Sequence, residues 1–73
     1  MAKISREEME INKELILSFI KRFIDKNGYA PVYREIVDGT GFTLDTIFRN
    51  LRMLRNEKKI DFIDGKARTI KIK

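Results

Sequence analysis

The 73-residue sequence contains neither cysteine nor histidine. Without thiols, neither disulfides nor a thiolate zinc site can stabilise so short a chain, and the usual general base of enzymes is also missing. There is no Gly-rich phosphate loop, and the two serines have no partner group at a meaningful spacing. We therefore predict a protein that is not an enzyme and that uses no cofactor, no metal and no small-molecule substrate.

Long apolar runs are missing as well. The longest are stretches of a few residues such as Leu15-Ile16-Leu17, far short of the roughly 20 residues that span a bilayer. The first eight residues lack the apolar segment and cleavage site of a secretion signal. We expect no membrane contact, a cytoplasmic location and one domain over residues 1–73.

Positive charge is concentrated in one part of the chain. The net charge is +5, and residues 1–42 hold seven basic and seven acidic side chains, whereas residues 43–73 hold nine basic and four acidic ones. This distribution is expected when one face meets a polyanion. A basic surface that only confers solubility is the alternative.

Apolar spacing predicts helices in the first 59 residues. Ser5 and Glu8 form a capping-box pattern that starts a first helix, and Asn27-Gly28 ends it. The helix carries one broad apolar stripe, which consists of Leu15, Ile16, Phe19, Ile20, Phe23 and Ile24. Residues 1–10 are open to interpretation as an N-terminal extension or arm, a dimer contact, or the start of a longer helix.

A second and a third helix are predicted around a glycine-containing turn. Pro31 favours a short helix over about residues 32–38, and Gly39 and Gly41 permit a sharp turn. Thr43 then offers an N-cap to a helix that runs to about Glu57. In this third helix a buried stripe and an opposite polar side are expected, formed respectively by Ile47, Leu51 and Leu54 and by Asp45, Arg49, Arg52 and Asn56.

Beyond Lys59 the apolar period changes from that of a helix to two. Ile60 and Phe62 alternate with a charged residue, as do Ile70 and Ile72, and Asp64-Gly65 between them is a hairpin signal. The pattern predicts an α+β fold, a winged helix-turn-helix in which three helices (helical part 11–59) precede a two-stranded β-hairpin wing (60–73).

Several segments resemble the N-terminal DNA-binding domain of LexA-type repressors. They are Asn27-Gly28-Tyr29-Ala30-Pro31, Arg34-Glu35-Ile36 with Thr40-Gly41-Phe42, and Leu51-Arg52-Met53-Leu54 leading to Lys58-Lys59-Ile60. The segment 41–51 is also similar to the recognition segment of many bacterial winged-helix regulators. The resemblance implies a bacterial or phage regulator of transcription, a repressor that binds double-stranded DNA with helix 43–56 in the major groove and the wing on the backbone.

The sequence departs from that family at three points. Val32 stands where the family usually has a threonine that caps the second helix, a loss of roughly 0.5–2 kcal/mol. The turn into the third helix is about one residue shorter, so base-reading residues cannot be carried across position by position. The self-cleaving second domain of that family has no counterpart within residues 1–73, and we expect no self-cleavage from these residues.

From this architecture we predict a DNA-binding set on the third helix and the wing. It consists of Thr43, Asp45, Thr46, Arg49, Asn50, Arg52, Lys66 and Arg68. Thr43 has the alternative role of an N-cap, Asp45 that of an acid at the positive helix end, and the wing cations that of a charged turn. We expect the aromatic residues Tyr29, Tyr33, Phe42 and Phe62 to pack rather than stack on bases.

Two other functions compete with duplex binding. The first is a protein-interaction module that contacts another regulator through Phe48, Met53 and the first helix. The second is binding to RNA or single-stranded DNA, for which the sequence lacks an exposed aromatic platform. Because one such domain makes few base contacts, specific duplex binding would call for a homodimer or tandem half-sites.

Overall fold

The computed structural model describes residues 5–73 and contains three helices followed by a two-stranded sheet. The elements are α1 (Arg6–Asn27), α2 (Tyr33–Thr40), α3 (Leu44–Asn56), β1 (Ile60–Asp61) and β2 (Lys71–Ile72). The strands are antiparallel, with Ile60 opposite Ile72 and Asp61 opposite Lys71. The predicted winged helix-turn-helix architecture is therefore confirmed.

Helix α1 begins at the predicted cap. The hydroxyl of Ser5 accepts a hydrogen bond from the Glu8 amide at 3.1 Å, and Gly28, at φ 78°, closes the helix by donating to the Ile24 carbonyl. Residues 6–10 are thus the first turns of α1 rather than a separate arm. Residues 1–4 of the N-terminal segment lie outside the described residues.

All three helices and β1 contribute to one core. Its most deeply buried aliphatic side chains are Ile16, Ile20, Ile36, Ile47, Leu51, Leu54 and Ile60. Each such side chain contributes roughly 1.5–3 kcal/mol through its burial. The prediction for Leu15 was wrong: this residue of the expected apolar stripe is 52% exposed, because α1 needs only one side to cover the core of so small a domain.

An ionic contact links α1 to the end of α3. The Lys13 side chain is almost fully buried, and its ammonium group contacts Glu10 on its own helix and Glu57 just beyond α3. The hydrogen bonds to Glu10 and Glu57 raise the pKa of Lys13. The bond from Lys13 lowers the pKa of Glu57. This contact fixes the α3 C-terminus against α1.

Gly39 allows α2 to approach α1 closely. A Cβ atom built at Gly39 would lie only 2.1 Å from Cε2 of Phe19, which is inside any van der Waals contact distance. Gly39 lies within α2 and not in the turn that the sequence predicted after residue 38, so the glycine is explained by packing against α1.

The start of α2 lacks the hydrogen bond that an N-cap side chain usually accepts, as expected because valine at position 32 has no polar side-chain atom. Val32 occupies the N-cap position and its side chain makes no hydrogen bond to the helix. The reciprocal hydrogen bond is present, since the Val32 amide donates to Oε1 of Glu35 at 2.8 Å. Glu35 thus satisfies one of the free amides at this helix end.

The wing differs from the tight hairpin that the sequence suggested. Each strand has only two residues, and residues 62–70 connect them. The predicted turn at Asp64-Gly65 is present, because the Lys66 amide donates to the Ile63 carbonyl at 3.2 Å and Gly65 has φ 77°, but this turn lies within the longer loop. The loop is held in this shape by Thr69, whose hydroxyl accepts a hydrogen bond from the Ile63 amide and donates one to the Lys66 carbonyl. These bonds replace strand pairing, and Arg68 at φ 59° turns the chain out of an extended path.

Candidate nucleic-acid interface

Helix α3 presents a polar face to solvent. Ile47, Leu51 and Leu54 are fully buried against the core, which directs the opposite side outward. The exposed side carries Asp45, Arg49, Arg52 and Asn56, as the 100-degree step predicts. A helix held in this way by its apolar side presents its arginines on a rigid support.

Arg49 and Asp45 form an ion pair on this exposed face. Nε of Arg49 lies 3.3 Å from Oδ2 of Asp45, and the two side chains are 73% and 77% exposed. Such a pair contributes little and is screened by salt. Arg52 lies one turn further along the same face and is exposed.

The two threonines lie at the N-terminus of α3. The hydroxyl of Thr43 accepts a hydrogen bond from the Thr46 amide at 3.3 Å, and the two hydroxyl oxygens are 2.9 Å apart. Thr43 is therefore the N-cap of α3. Thr43 is exposed and Thr46 half-buried, which leaves both at the edge of the polar face.

Asn50 is not on the exposed face. Its side chain is only 5% exposed, and Nδ2 donates to the Thr46 carbonyl at 2.7 Å. Position 50 lies three residues after Ile47 and four before Leu54, which places it on the buried side of the helix. We correct the predicted set by removing Asn50, whose amide would have to leave the interior to reach a ligand.

The two wing cations have different surroundings. Lys66 is exposed in the middle of the loop. Arg68 instead extends back to the body of the domain, where its Nη1 donates to the Ala30 carbonyl at 3.0 Å and to Oε1 of Glu35 at 2.9 Å. Its guanidinium also lies over the ring of Tyr29, 4.6 Å from the ring centre. Arg68 is thus occupied in holding the wing against the start of α2.

The charge of Glu35 is stabilised at this contact. The amide of Val32 and, after it, the guanidinium of Arg68 lower the pKa of the Glu35 carboxyl. The carboxylate therefore accepts from the backbone of α2 and from the wing together. A second arginine, Arg55 on α3, lies over the Phe62 ring at 4.1 Å and holds the other side of the wing.

Three exposed residues near this face were not in the predicted DNA-binding set, and of these only Phe48 was considered from the sequence, as a contact for a partner protein. Leu44 and Phe48 lie one turn apart on α3 and are both exposed, beside the polar face rather than in the core stripe. Phe48 packs its ring edgewise on Tyr33, with ring centres 4.8 Å apart. Arg34 is exposed in the first turn of α2. An apolar pair separated by four residues and offset from the buried stripe was the signal available in the sequence.

Among residues 5–73, no group of three His, Cys, Asp or Glu side chains is arranged to hold a metal ion. Over the same range, no helix is long and apolar enough to cross a membrane.

The sequence matches known proteins along most of its length. A sequence model of the LexA DNA binding domain family matches residues 8–69. The chain is 36% identical over 70 residues to the LexA repressor of Roseiflexus sp. strain RS-1, which covers 94% of this chain and 32% of that protein. It is 36% identical over 61 residues to the LexA repressor of Acetivibrio thermocellus, covering 82% of this chain and 29% of that protein.

A third relative is the LexA repressor of Syntrophobacter fumaroxidans, 40% identical over 43 residues, which cover 58% of this chain and 21% of that protein. The chain thus spans a third or less of the length of these curated relatives.

Proposed function

Since the chain belongs to the LexA DNA binding domain family, we propose that it binds double-stranded DNA as a repressor, with α3 in the major groove and the wing beside the backbone. The observation that carries this proposal is the two-sided character of α3. Its apolar side is fully buried, whereas Arg49 and Arg52 are exposed together on the other side. A helix of this kind fits the width of the major groove.

The arginines would supply the base contacts. A guanidinium can donate two parallel hydrogen bonds to O6 and N7 of guanine, and each such pair discriminates against a wrong base by roughly 1–3 kcal/mol. The ion pair of Arg49 with Asp45 is exposed and weak, so the Arg49 guanidinium can exchange it for a base. Leu44 and Phe48 would add apolar contact to thymine methyl groups at the side of the same face.

The remaining contacts would position the domain on the phosphates. Lys66 is exposed in the middle of the wing loop and Arg34 at the start of α2. Thr43 and Thr46 lie at the N-terminus of α3, where hydroxyls and helix dipole favour a phosphate. Arg68 would act indirectly, because its bonds to Ala30 and Glu35 determine where the wing lies.

The direct test is selection of bound duplexes from a mixture of genomic fragments at two salt concentrations. We expect the retained fragments to share a sequence motif, and we expect affinity to fall by orders of magnitude as salt rises, because several phosphates are contacted. Retention without a shared motif would refute sequence-specific repression while leaving duplex binding intact. No retention at low salt would contradict the proposal and favour a protein-interaction module instead.

A further inference from the structure

Helix α1 carries two large apolar side chains that the core does not use. Ile11 and Leu15 are 57% and 52% exposed and lie one turn apart. By the 100-degree step they point away from Ile20, which is fully buried in the core. Single exposed apolar residues are common, but here two adjacent ones lie on the outer side of the longest helix.

The residues around this pair follow the spacing of a helix-pairing seam. Positions 8, 11, 15, 18 and 22 are separated alternately by three and four residues, which keeps them on one side of a helix. We call Glu8, Ile11, Leu15, Ser18 and Arg22 the α1 stripe. All five are exposed, and the stripe has an acid at one end, a base at the other and apolar residues between them.

We propose that the α1 stripe is the interface with a second copy of this chain, in which the two α1 helices pair antiparallel about a two-fold axis at Leu15. In that arrangement Leu15 packs on Leu15 of the second copy, and Ile11 packs near Ser18. Glu8 of each copy then lies opposite Arg22 of the other. A two-fold contact needs a self-complementary surface, and the order acid, apolar, base provides one only when the helices are antiparallel.

Charge along the whole helix favours the same orientation. Among the exposed charged residues of α1, the first half has four acids (Glu7, Glu8, Glu10, Glu14) and one base (Arg6), and the second half has three bases (Lys21, Arg22, Lys26) and one acid (Asp25). A parallel pair would bring like charges together, whereas an antiparallel pair brings opposite charges together. Glu14 opposes association, because near the two-fold axis it approaches Glu14 of the second copy.

The size of the contact sets the expected strength. The stripe covers 14 steps of helix, about 21 Å at 1.5 Å per residue, and one helix pair of this length is smaller than a standard interface of roughly 1,600 Å². The dimer is therefore weak in solution. Because the stripe faces away from the core on which α3 packs, pairing leaves the exposed face of α3 uncovered.

The test is sedimentation equilibrium at low salt over protein concentrations from about 10 μM to about 1 mM, a range that covers weak complexes. The wild-type chain should show a monomer–dimer equilibrium, and Leu15→Glu should abolish it while the circular dichroism spectrum stays unchanged, since Leu15 is exposed. A wild-type chain that remains monomeric throughout overturns the proposal.

A charge exchange tests the antiparallel register. Glu8→Arg and Arg22→Glu each place like charges opposite one another twice in the dimer, and each should weaken association by about 3- to 10-fold. The combined variant Glu8→Arg/Arg22→Glu should recover association to near the wild-type value. If the two effects add instead of cancelling, Glu8 does not face Arg22 of the second copy and the register is wrong.

Discussion

The guanidinium of Arg68 donates to Oε1 of Glu35 at 2.9 Å, and the same oxygen accepts the Val32 amide at 2.8 Å. One carboxylate therefore holds both the wing and the start of α2. The separation in sequence is 33 residues, so this contact forms only when the wing packs against the helical part. It makes the position of the wing depend on an ion pair at the base of the helix-turn-helix.

The different surroundings of Arg68 and Lys66 predict different effects of their removal. Arg68→Ala should lower the melting temperature by several degrees, because it removes bonds to Ala30 and Glu35 as well as the contact with Tyr29. Lys66→Ala should leave the melting temperature unchanged. It should reduce the magnitude of the slope of log affinity against log salt by about one, the change expected when one phosphate contact is lost. Thermal unfolding and DNA titrations at several salt concentrations measure the two effects. A stable Arg68→Ala variant with a reduced salt slope would show that Arg68 contacts phosphate instead.

The low pKa of Glu35 predicts acid sensitivity. A carboxyl whose pKa is lowered on folding stabilises the folded state above its unfolded pKa of about 4.3, and this contribution is lost as pH falls through the folded value. The free energy of unfolding should therefore decrease on acidification below about pH 4.5, and Glu57, held by Lys13, adds to the same trend.

Urea unfolding across this pH range measures the trend. Glu35→Gln should have lower stability near neutral pH and a shallower dependence below it, and Glu7→Gln, at an exposed position in the first turn of α1, is the matched control. An unchanged slope in Glu35→Gln would mean that the carboxylate is not held by Val32 and Arg68 in solution.

Gly39 should not tolerate a side chain. Gly39→Ala places a methyl group 2.1 Å from Cε2 of Phe19, so the half-buried ring must shift. Extra volume in a packed contact typically costs about 1–3 kcal/mol, and the better helix propensity of alanine within α2 offsets about 0.5–1 kcal/mol of this. Chemical denaturation of Gly39→Ala measures the loss. The combination with Phe19→Ala provides the control, since without the ring the added methyl group should cause little further loss. Equal losses from Gly39→Ala in both backgrounds would place the cause in the α2 backbone rather than in the α1 contact.

Local patterns in the sequence were sufficient for the helices. The Ser5 and Thr43 caps, the Asn27-Gly28 stop and the Ile47, Leu51, Leu54 stripe depend on neighbours within a turn or two, and these features were predicted. The resemblance to LexA-type repressors used the same short segments and was confirmed by the family match.

The errors arose where contacts are distant in sequence. Arg68 was predicted to contact DNA from its charge and its position in the wing. Only the fold shows that its side chain pairs with Glu35. Leu15 was predicted to be in the core because it is apolar, but only one side of α1 faces the core and Leu15 lies on the other side. The wing loop depends on the bonds of the Thr69 hydroxyl, which a two-residue period cannot reveal. Asn50 could have been excluded from its spacing to Ile47 and Leu54, a signal that its polar side chain obscured.

The exposed face of α3 is proposed to contact duplex DNA, and the double variant Arg49→Ala/Arg52→Ala removes both arginines from that face. Its matched control is Arg6→Ala/Lys21→Ala, which removes the same charge from exposed positions on α1. Fluorescence anisotropy with a selected duplex should show affinity reduced by about 10- to 100-fold or more for the α3 variant, as expected for lost bidentate base contacts. The control variant should lose far less, and both should unfold like the wild type. Equal affinities of the α3 variant and the wild type would remove α3 from the interface and contradict the account.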